Sequence, residues 1–294
     1  MPISRKIKWF YYKSLGLLSI VRGYNLLVIV IAQYLTSIFI LSEGKAIIDV
    51  ITELHLFTLI FATILVIASG YIINSFYDSE KDLINRPQKT KLDRLVSQRT
   101  KLSIYFVLNF LSVIIASYNS FRAVLFFSFY IFGIWLYSHK LKRIAIVGNI
   151  VATVLAIFPF FAIFIYFKNY DWVIFGHANF LILVILMREI IKDLENLSGD
   201  LALGYRTIPI VFGERKAKYT LQFLVFVTIA VTGVLIAYFS LGKMDYYFIF
   251  SIITLLVFSI LLMRAKAKKD YNILHNILKL LIFVGVLSIV LIGL

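Results

Sequence analysis

The sequence predicts an all-α polytopic membrane protein with about nine transmembrane helices, and three observations carry that prediction. Of its 294 residues, 61% are hydrophobic and 16% aromatic, while only 15% are charged against roughly 25% in soluble domains. Apolar runs recur at lengths able to cross a hydrocarbon core of ~30 Å. Lys and Arg gather in alternate connections between those runs, as in loops retained on the cytoplasmic side of a membrane.

The elements follow in order. Residues 1–16 are basic and amphipathic, and the apolar run 17–41 behind them is too long for a signal-peptide core and lacks a small-residue cleavage pattern. It reads as a retained first span, preceded by Arg5, Lys6, Lys8 and Lys13 and followed by Lys45. The second span, 54–77, leads into a strongly basic connection with Lys81, Arg86, Lys89, Lys91, Arg94, Arg99 and Lys101. Spans 102–119 and 121–138 are separated by a short turn next to Arg122, and Lys140, Lys142 and Arg143 lead into 144–167, where Pro159 marks a kink. After Lys168 comes 172–192, then a connection holding Lys192, Arg206, Arg215, Lys216 and Lys218, then 216–240. Lys243 precedes 244–264, and Arg264, Lys266, Lys268 and Lys269 precede 275–294. An N-terminus in the cytoplasm puts every basic cluster on that side and leaves only Lys45, Arg122, Lys168 and Lys243, with the C-terminus, on the other. No connection is long enough for a soluble catalytic domain, so residues 1–294 read as one membrane domain.

Charge and composition also exclude classes. The net charge of +15 is accounted for by cytoplasmic loops facing anionic membrane lipids, and no nucleic-acid module is present, so nucleic acid is not an expected partner. There is no cysteine, hence no disulfide framework, thiolate metal site or cysteine nucleophile. The four histidines, His55, His139, His177 and His275, lack ligand-like spacing and read as interfacial or packing residues. Oligomeric state has no signature here.

Two acidic clusters sit where ionised groups are costly, at the ends of apolar segments. Asn74, Asp78 and Asp82 follow the second span at i, i+4, i+8, one face of a helix leaving the bilayer. Asp193, Asn196 and Asp200 follow the sixth at i, i+3, i+7, again one face, with Gly199 permitting close approach or helix termination. Solvated helix ends would explain either cluster alone. Like charges at i, i+4 destabilise a helix by a few tenths of a kcal/mol, however, and the arrangement recurs at two loops on one side. Carboxylate and amide oxygens are hard ligands suited to magnesium, which keeps waters and shares phosphate oxygens; a diphosphate between two such arms is the natural third party.

At this level of detail the chain resembles the UbiA-type intramembrane prenyltransferases. The first cluster is similar to the family's N-D-x-x-D-x-x-x-D, with Ser75 in place of the first Asp, and continues into Ile84-Asn-Arg-Pro87. The second is similar to K-D-x-E-D-x-x-G-D-x-x-x-G over Lys192 to Gly204, with Asn196 for an Asp, and continues into Arg206-Thr-Ile-Pro209 and Phe212-Gly213. Tyr137 to Arg143 with Gly148-Asn149 resembles the family's short basic loop, and Arg22 with Asn25 its R-x-x-N element. The resemblance implies a helical bundle around a lipid-open cavity, with Mg2+ bridging both motifs to a polyprenyl diphosphate donor. It implies metal binding by Asn74, Asp78, Asp82, Asp193, Asn196 and Asp200, the four aspartates being catalytic. It implies diphosphate contacts from Arg22, Lys142 and Lys89 or Arg86, a cavity-facing Asn25, and substrate contacts near Tyr137 and Arg206. Ser75 and Asn196 reduce the anionic charge available, which leaves one metal or two open. The segment Pro87 to Ser97 lacks the family's usual R-P-L-P-S-G, so Asp93 has no assigned role.

Among acceptor classes the resemblance favours geranylgeranylglyceryl phosphate, in ether-lipid synthesis, with geranylgeranyl diphosphate as donor. Arg188-Glu-Ile-Ile-Lys-Asp193 resembles members that prenylate geranylgeranylglyceryl phosphate, a lipid acceptor for which Lys91, Arg94, Arg99, Arg206 and Arg215 would supply further cations. An aromatic quinone precursor and a chlorophyll- or haem-type acceptor are alternatives. Outside transfer, a terpene cyclase would ionise the diphosphate without an acceptor, and a transporter would more typically show repeated halves and broken helices at the midplane. Rings such as Tyr71, Phe76, Tyr137, Phe158 and Phe160 are candidates to line an isoprenoid tunnel or to serve as packing and belt residues.

Overall fold

The computed structural model describes residues 5–42, 44–239 and 241–293, and the side chains of 5–12, with Arg5, Lys6 and Lys8, lie outside the described residues. Among the described residues the regular elements are helices, with one isolated bridge between Ile144 and Arg206. In order, the helices are α1 (Arg5–Val21), α2 (Gly23–Thr36), α3 (Ile47–Thr52), α4 (Leu54–Tyr77) and α5 (Ser79–Asn85). There follow α6 (Pro87–Asp93), α7 (Gln98–Ser117), α8 (Phe121–His139), α9 (Val147–Phe167) and α10 (Trp172–Glu195). The last five are α11 (Leu197–Ala202), α12 (Ile208–Phe212), α13 (Glu214–Tyr238), α14 (Asp245–Arg264) and α15 (Lys268–Ser288). Among the described residues nine segments are long and apolar enough to cross a membrane, as the run lengths predicted.

Their boundaries correct the sequence reading in places. The first span runs from Gly23 to Leu41, not from 17, because Arg22 takes a left-handed φ of 51° and ends α1 at Val21. The basic helix α1 instead packs on α6 in the long connection, where a Cβ on Gly16 would lie 2.9 Å from the Leu92 carbonyl oxygen. The fifth span starts at Val147 rather than 144, after a 3₁₀ turn at Leu141–Arg143 and a positive φ at Ile146. The last starts at Lys268 rather than 275.

The helices group into two compact units, one of residues 1–30 and 54–140, the other of 31–53 and 141–294. In the first unit α4 is the central helix, packed on α7 and α8, with Ile20, Ile72, Ile73, Val96 and Tyr105 in its core. Polar side chains join these helices where hydrocarbon offers no alternative partner: Ser69 Oγ donates to Asn109 Oδ1 at 2.5 Å, and Ser112 Oγ to the Ala62 carbonyl at 3.1 Å. In the second unit α10 has that role, against α15, α13 and α9, burying Met187, Ile191, Leu221, Phe248 and Leu278. Gln33 Nε2 donates to the carbonyl of Pro159 at 2.8 Å, a polar contact beside the residue that interrupts the α9 ladder. Outward-facing Phe129 and Phe226 remain exposed, as side chains that meet lipid should.

Candidate active site

The first acidic arm lies in the first unit. Asn74 is in the last turn of α4, Asp78 falls between α4 and α5 with φ −91° and ψ 6°, and Asp82 is in α5. The helix is therefore interrupted at Asp78, a correction to the single continuous face. The i→i−4 ladder nonetheless passes through the junction: Asp78 N–H donates to Asn74 O at 2.9 Å, Asp82 N–H to Asp78 O at 2.8 Å, and Arg86 N–H to Asp82 O at 2.7 Å. Asp78 is buried and Asp82 half-buried. Burial pushes the Asp82 carboxyl above the ordinary carboxylate range, the charge of Asp78 adds to this, and Lys89, Arg86 and Arg22 oppose it. Burial and the nearby Arg22 pull Lys89 below the ordinary lysine value, against Asp93 and Asp82. The predicted Arg22, Asp78, Asp82, Arg86 and Lys89 thus form one electrostatic cluster.

Tyr71, one turn before Asn74, ties the R-x-x-N element to this arm. The Arg22 guanidinium lies 5.2 Å from its ring centroid, and Asn25 Nδ2 donates to its hydroxyl at 3.2 Å. Asp93 is buried, accepts from Ser19 Oγ at 3.0 Å and lies 3.7 Å from Lys89 Nζ, so it anchors α6 to α1. Tyr137 is half-buried near the end of α8.

The second arm lies in the second unit. Asp193 is in the last turn of α10, Asn196 at the break between α10 and α11, and Asp200 within α11. The break is at Asn196 with φ −103° and ψ 15°, while Gly199 lies buried inside α11, so Gly199 does not terminate the helix. Asn196 N–H and Nδ2 both donate to the Lys192 carbonyl, at 3.0 and 2.7 Å, closing the last turn of α10. Asp193 Oδ2 accepts from Asn149 Nδ2, in the first turn of α9, at 2.8 Å, and Asp200 is within electrostatic reach of it. Asp200 is 0% exposed.

Behind the carboxylates runs an ionic row. Lys192 Nζ donates to Glu189 Oε2 at 2.8 Å, Arg188 lies 3.6 Å from Glu189, and His275 Nδ1 on α15 donates to Glu195 Oε2 at 2.7 Å. His275, read as a packing residue, thus holds the motif's own glutamate. Lys142 is half-buried in the 3₁₀ turn, and a Cβ on Gly148 would lie 3.0 Å from the Leu141 carbonyl oxygen and 3.2 Å from the Lys142 Cα, so the absence of a side chain lets the start of α9 approach the turn closely. Arg206 is exposed, but its N–H donates to Arg143 O at 2.9 Å, and the Arg143 guanidinium lies 5.0 Å over Tyr205. The basic loop is thereby tied to the segment following Asp200.

Further along the second unit lies an apolar cavity of about 250 Å³, lined among others by Ile157, Phe160, Phe164, Ile182 and Tyr247. Phe164 is ~22 Å along α9 from Asn149 at the rise of a regular helix. Of the rings singled out from sequence, Phe160 is in this lining.

The donor chemistry fits magnesium. Each arm offers carboxylate and amide oxygens and no sulfur or imidazole, and on the first arm two carboxylates stand close enough for one to raise the other's pKa, a repulsion a divalent cation relieves. Among the described residues no three His, Asp or Glu side chains form a ready metal cage. Lys101, Asn149 and the Glu195–His275 pair were not assigned from sequence. Asn149 had only its place in the basic-loop block, and Lys101 only its place among the loop charges.

The profile of the UbiA prenyltransferase family matches residues 26–286. A digeranylgeranylglyceryl phosphate synthase of Pyrococcus furiosus is 32% identical over 73% of this chain and 75% of its own. A solved structure concerned with digeranylgeranylglyceryl phosphate synthase in membranes superposes with a TM-score of 0.70 at 20% identity, covering 95% of this chain and 98% of that one. A UbiA homolog from Archaeoglobus fulgidus bound to GPP and Mg2+ superposes with a TM-score of 0.68 at 15% identity, covering 94% and 99%.

Proposed function

The chain belongs to the UbiA prenyltransferase family, and from that premise we propose that it transfers a geranylgeranyl group from geranylgeranyl diphosphate to geranylgeranylglyceryl phosphate, as a single domain over residues 1–294. The observation that carries the acceptor is the relative from Pyrococcus furiosus, which bears the name of that synthase across three quarters of its length. The Arg188-Glu-Ile-Ile-Lys-Asp193 sequence agrees with it, its Arg188, Glu189 and Lys192 forming the ionic row behind Asp193.

In this reading Asn74, Asp78 and Asp82 on one arm and Asp193, Asn196 and Asp200 on the other hold Mg2+. When bound, the metal supplies Lewis-acid neutralisation of the charge that develops on the departing diphosphate. Arg22, Arg86, Lys89 and Lys142 donate hydrogen bonds to phosphate oxygens, which are strongest when donor and acceptor are both charged. Asn149 fixes the orientation of Asp193. The allylic carbon–oxygen bond breaks, the diphosphate leaves with the electron pair, and the acceptor hydroxyl oxygen bonds to the allylic carbon as its proton passes to the released diphosphate. The cavity along α9 and α10 receives the isoprenoid chain, its apolar lining making no demand on an apolar ligand's hydrogen bonding. The Lys and Arg of the connections support a cytoplasmic side for both arms and the N-terminus.

The test is purified protein with Mg2+ and labelled geranylgeranyl diphosphate, offered geranylgeranylglyceryl phosphate, 4-hydroxybenzoate or no acceptor in separate reactions. Label in the glycerol ether supports the proposal. Label in the aromatic ring, or a hydrocarbon formed without acceptor, replaces it with the quinone-precursor or cyclase reading.

A further inference from the structure

Lys101 on α7 is only 3% exposed, yet its ammonium makes one hydrogen bond, to the neutral hydroxyl of Ser75 at 3.2 Å. Among the described residues no carboxylate lies within 4.0 Å of it; Asp93 and Asp82 act on it from further away, as does Lys89. An ammonium has three donors, and burying one with two of them unused is costly unless something else completes it. Such a group at a membrane edge marks a site.

The missing partner is an anion. The acids of this cluster, Asp78, Asp82 and Asp93, are already outnumbered by Arg22, Arg86, Lys89 and Lys101 before any metal arrives. Lys101 also sits in the first turns of α7, whose positive end favours negative charge nearby. Ser75 is the position where the motif carries Asp in the family this chain resembles. A carboxylate there would pair with the ammonium, and the hydroxyl leaves it unneutralised.

We propose that Lys101 Nζ, presented beside Ser75, is an anion-binding site that takes a phosphate oxygen and so supplies, from the protein itself, a positive charge at the first arm. Two sources share this chemistry, the diphosphate of the donor and the phosphate of the acceptor; only the choice between them rests on the function proposed above.

The experiment measures binding calorimetrically in the presence of EDTA, using inorganic pyrophosphate, geranylgeranyl thiolodiphosphate and geranylgeranylglyceryl phosphate as separate probes. Lys101→Met keeps length and removes charge, and is expected to weaken at least one probe tenfold or more, with Lys101→Arg retaining most of the affinity. Ser75→Asp, which leaves the lysine in place and gives it a carboxylate, is expected to cause the same loss and covers the case in which Lys101→Met does not fold. Loss confined to the diphosphate probes assigns the site to the donor, and loss confined to the glycerol phosphate assigns it to the acceptor. Unchanged affinity for all three probes in Ser75→Asp and in folded Lys101→Met overturns the proposal, even if the wild type transfers prenyl groups. A wild type that transfers nothing, but whose pyrophosphate binding falls in these variants, overturns the functional reading and leaves this site standing.

Discussion

Replacing Asn149 by Ala removes the one side-chain amide that, among the described residues, donates to the Asp193 carboxylate. The bond is 2.8 Å long and Asn149 is 5% exposed, so water does not readily take its place. A hydrogen bond to a charged group of this kind contributes about 1.5–3 kcal/mol. At about 1.4 kcal/mol per decade, losing it costs roughly tenfold to a hundredfold, the range seen when an outer partner of a metal ligand is removed. The loss should fall on metal activation and kcat/KM rather than on folding, because the Thr153 hydroxyl bonds to the Asn149 backbone carbonyl, which the substitution keeps. Initial rates across a magnesium titration, with Mn2+ binding followed by electron paramagnetic resonance, measure both quantities, and a thermal melt monitors the fold. A variant within twofold of wild type in both metal affinity and kcat/KM would refute the assignment of Asn149 as the residue that orients Asp193. Asn149→Asp, which puts a second carboxylate at the same distance, should lower turnover further than Asn149→Ala.

Asp78→Ala and Asp193→Ala should each abolish turnover while eluting as folded protein; chelation should stop the wild type, with added Mg2+ restoring it, and chelator-resistant transfer would remove the metal arms from the mechanism. Because Lys89 is pulled below its ordinary value, it loses its proton, and with it the phosphate contact proposed for it, at a lower pH than a free lysine. Donor KM should therefore rise on the alkaline side, and Lys89→Arg, which stays protonated, should flatten that limb of the pH profile. His275→Ala removes a 2.7 Å donor from the buried Glu195 and should cost about 1.5–3 kcal/mol of stability, read as a lowered melting temperature, with His275→Gln recovering part of it.

Much of the candidate site was legible in the chain because the proposed chemistry is written in short, regular spacings. Asn74, Asp78 and Asp82 were found by their four-residue interval, and the backbone ladder through Asp78 preserves that register. The break at Asp78 was not legible, since nothing in Tyr77-Asp78-Ser79 opposes a helix strongly. The same holds for Asn196, where the neighbouring Gly199 was the more obvious place to stop and is instead buried inside α11. Arg22 was visible as a cation in an apolar run, but its left-handed backbone was not, as arginine has no preference for that region.

The sequence by itself determined the spans. In hydrocarbon every backbone polar group must find its partner within the helix, so a long enough apolar run becomes a membrane helix whatever it later touches, and nine such runs became nine candidate spans among the described residues. Tertiary structure alone decided which polar groups meet. Asn149 reaches Asp193 across 44 residues, Lys101 reaches Ser75 across 26, and His275 reaches Glu195 across 80. Those pairings depend on which faces of distant helices come together, and that depends on packing spread over the whole unit rather than on any local pattern.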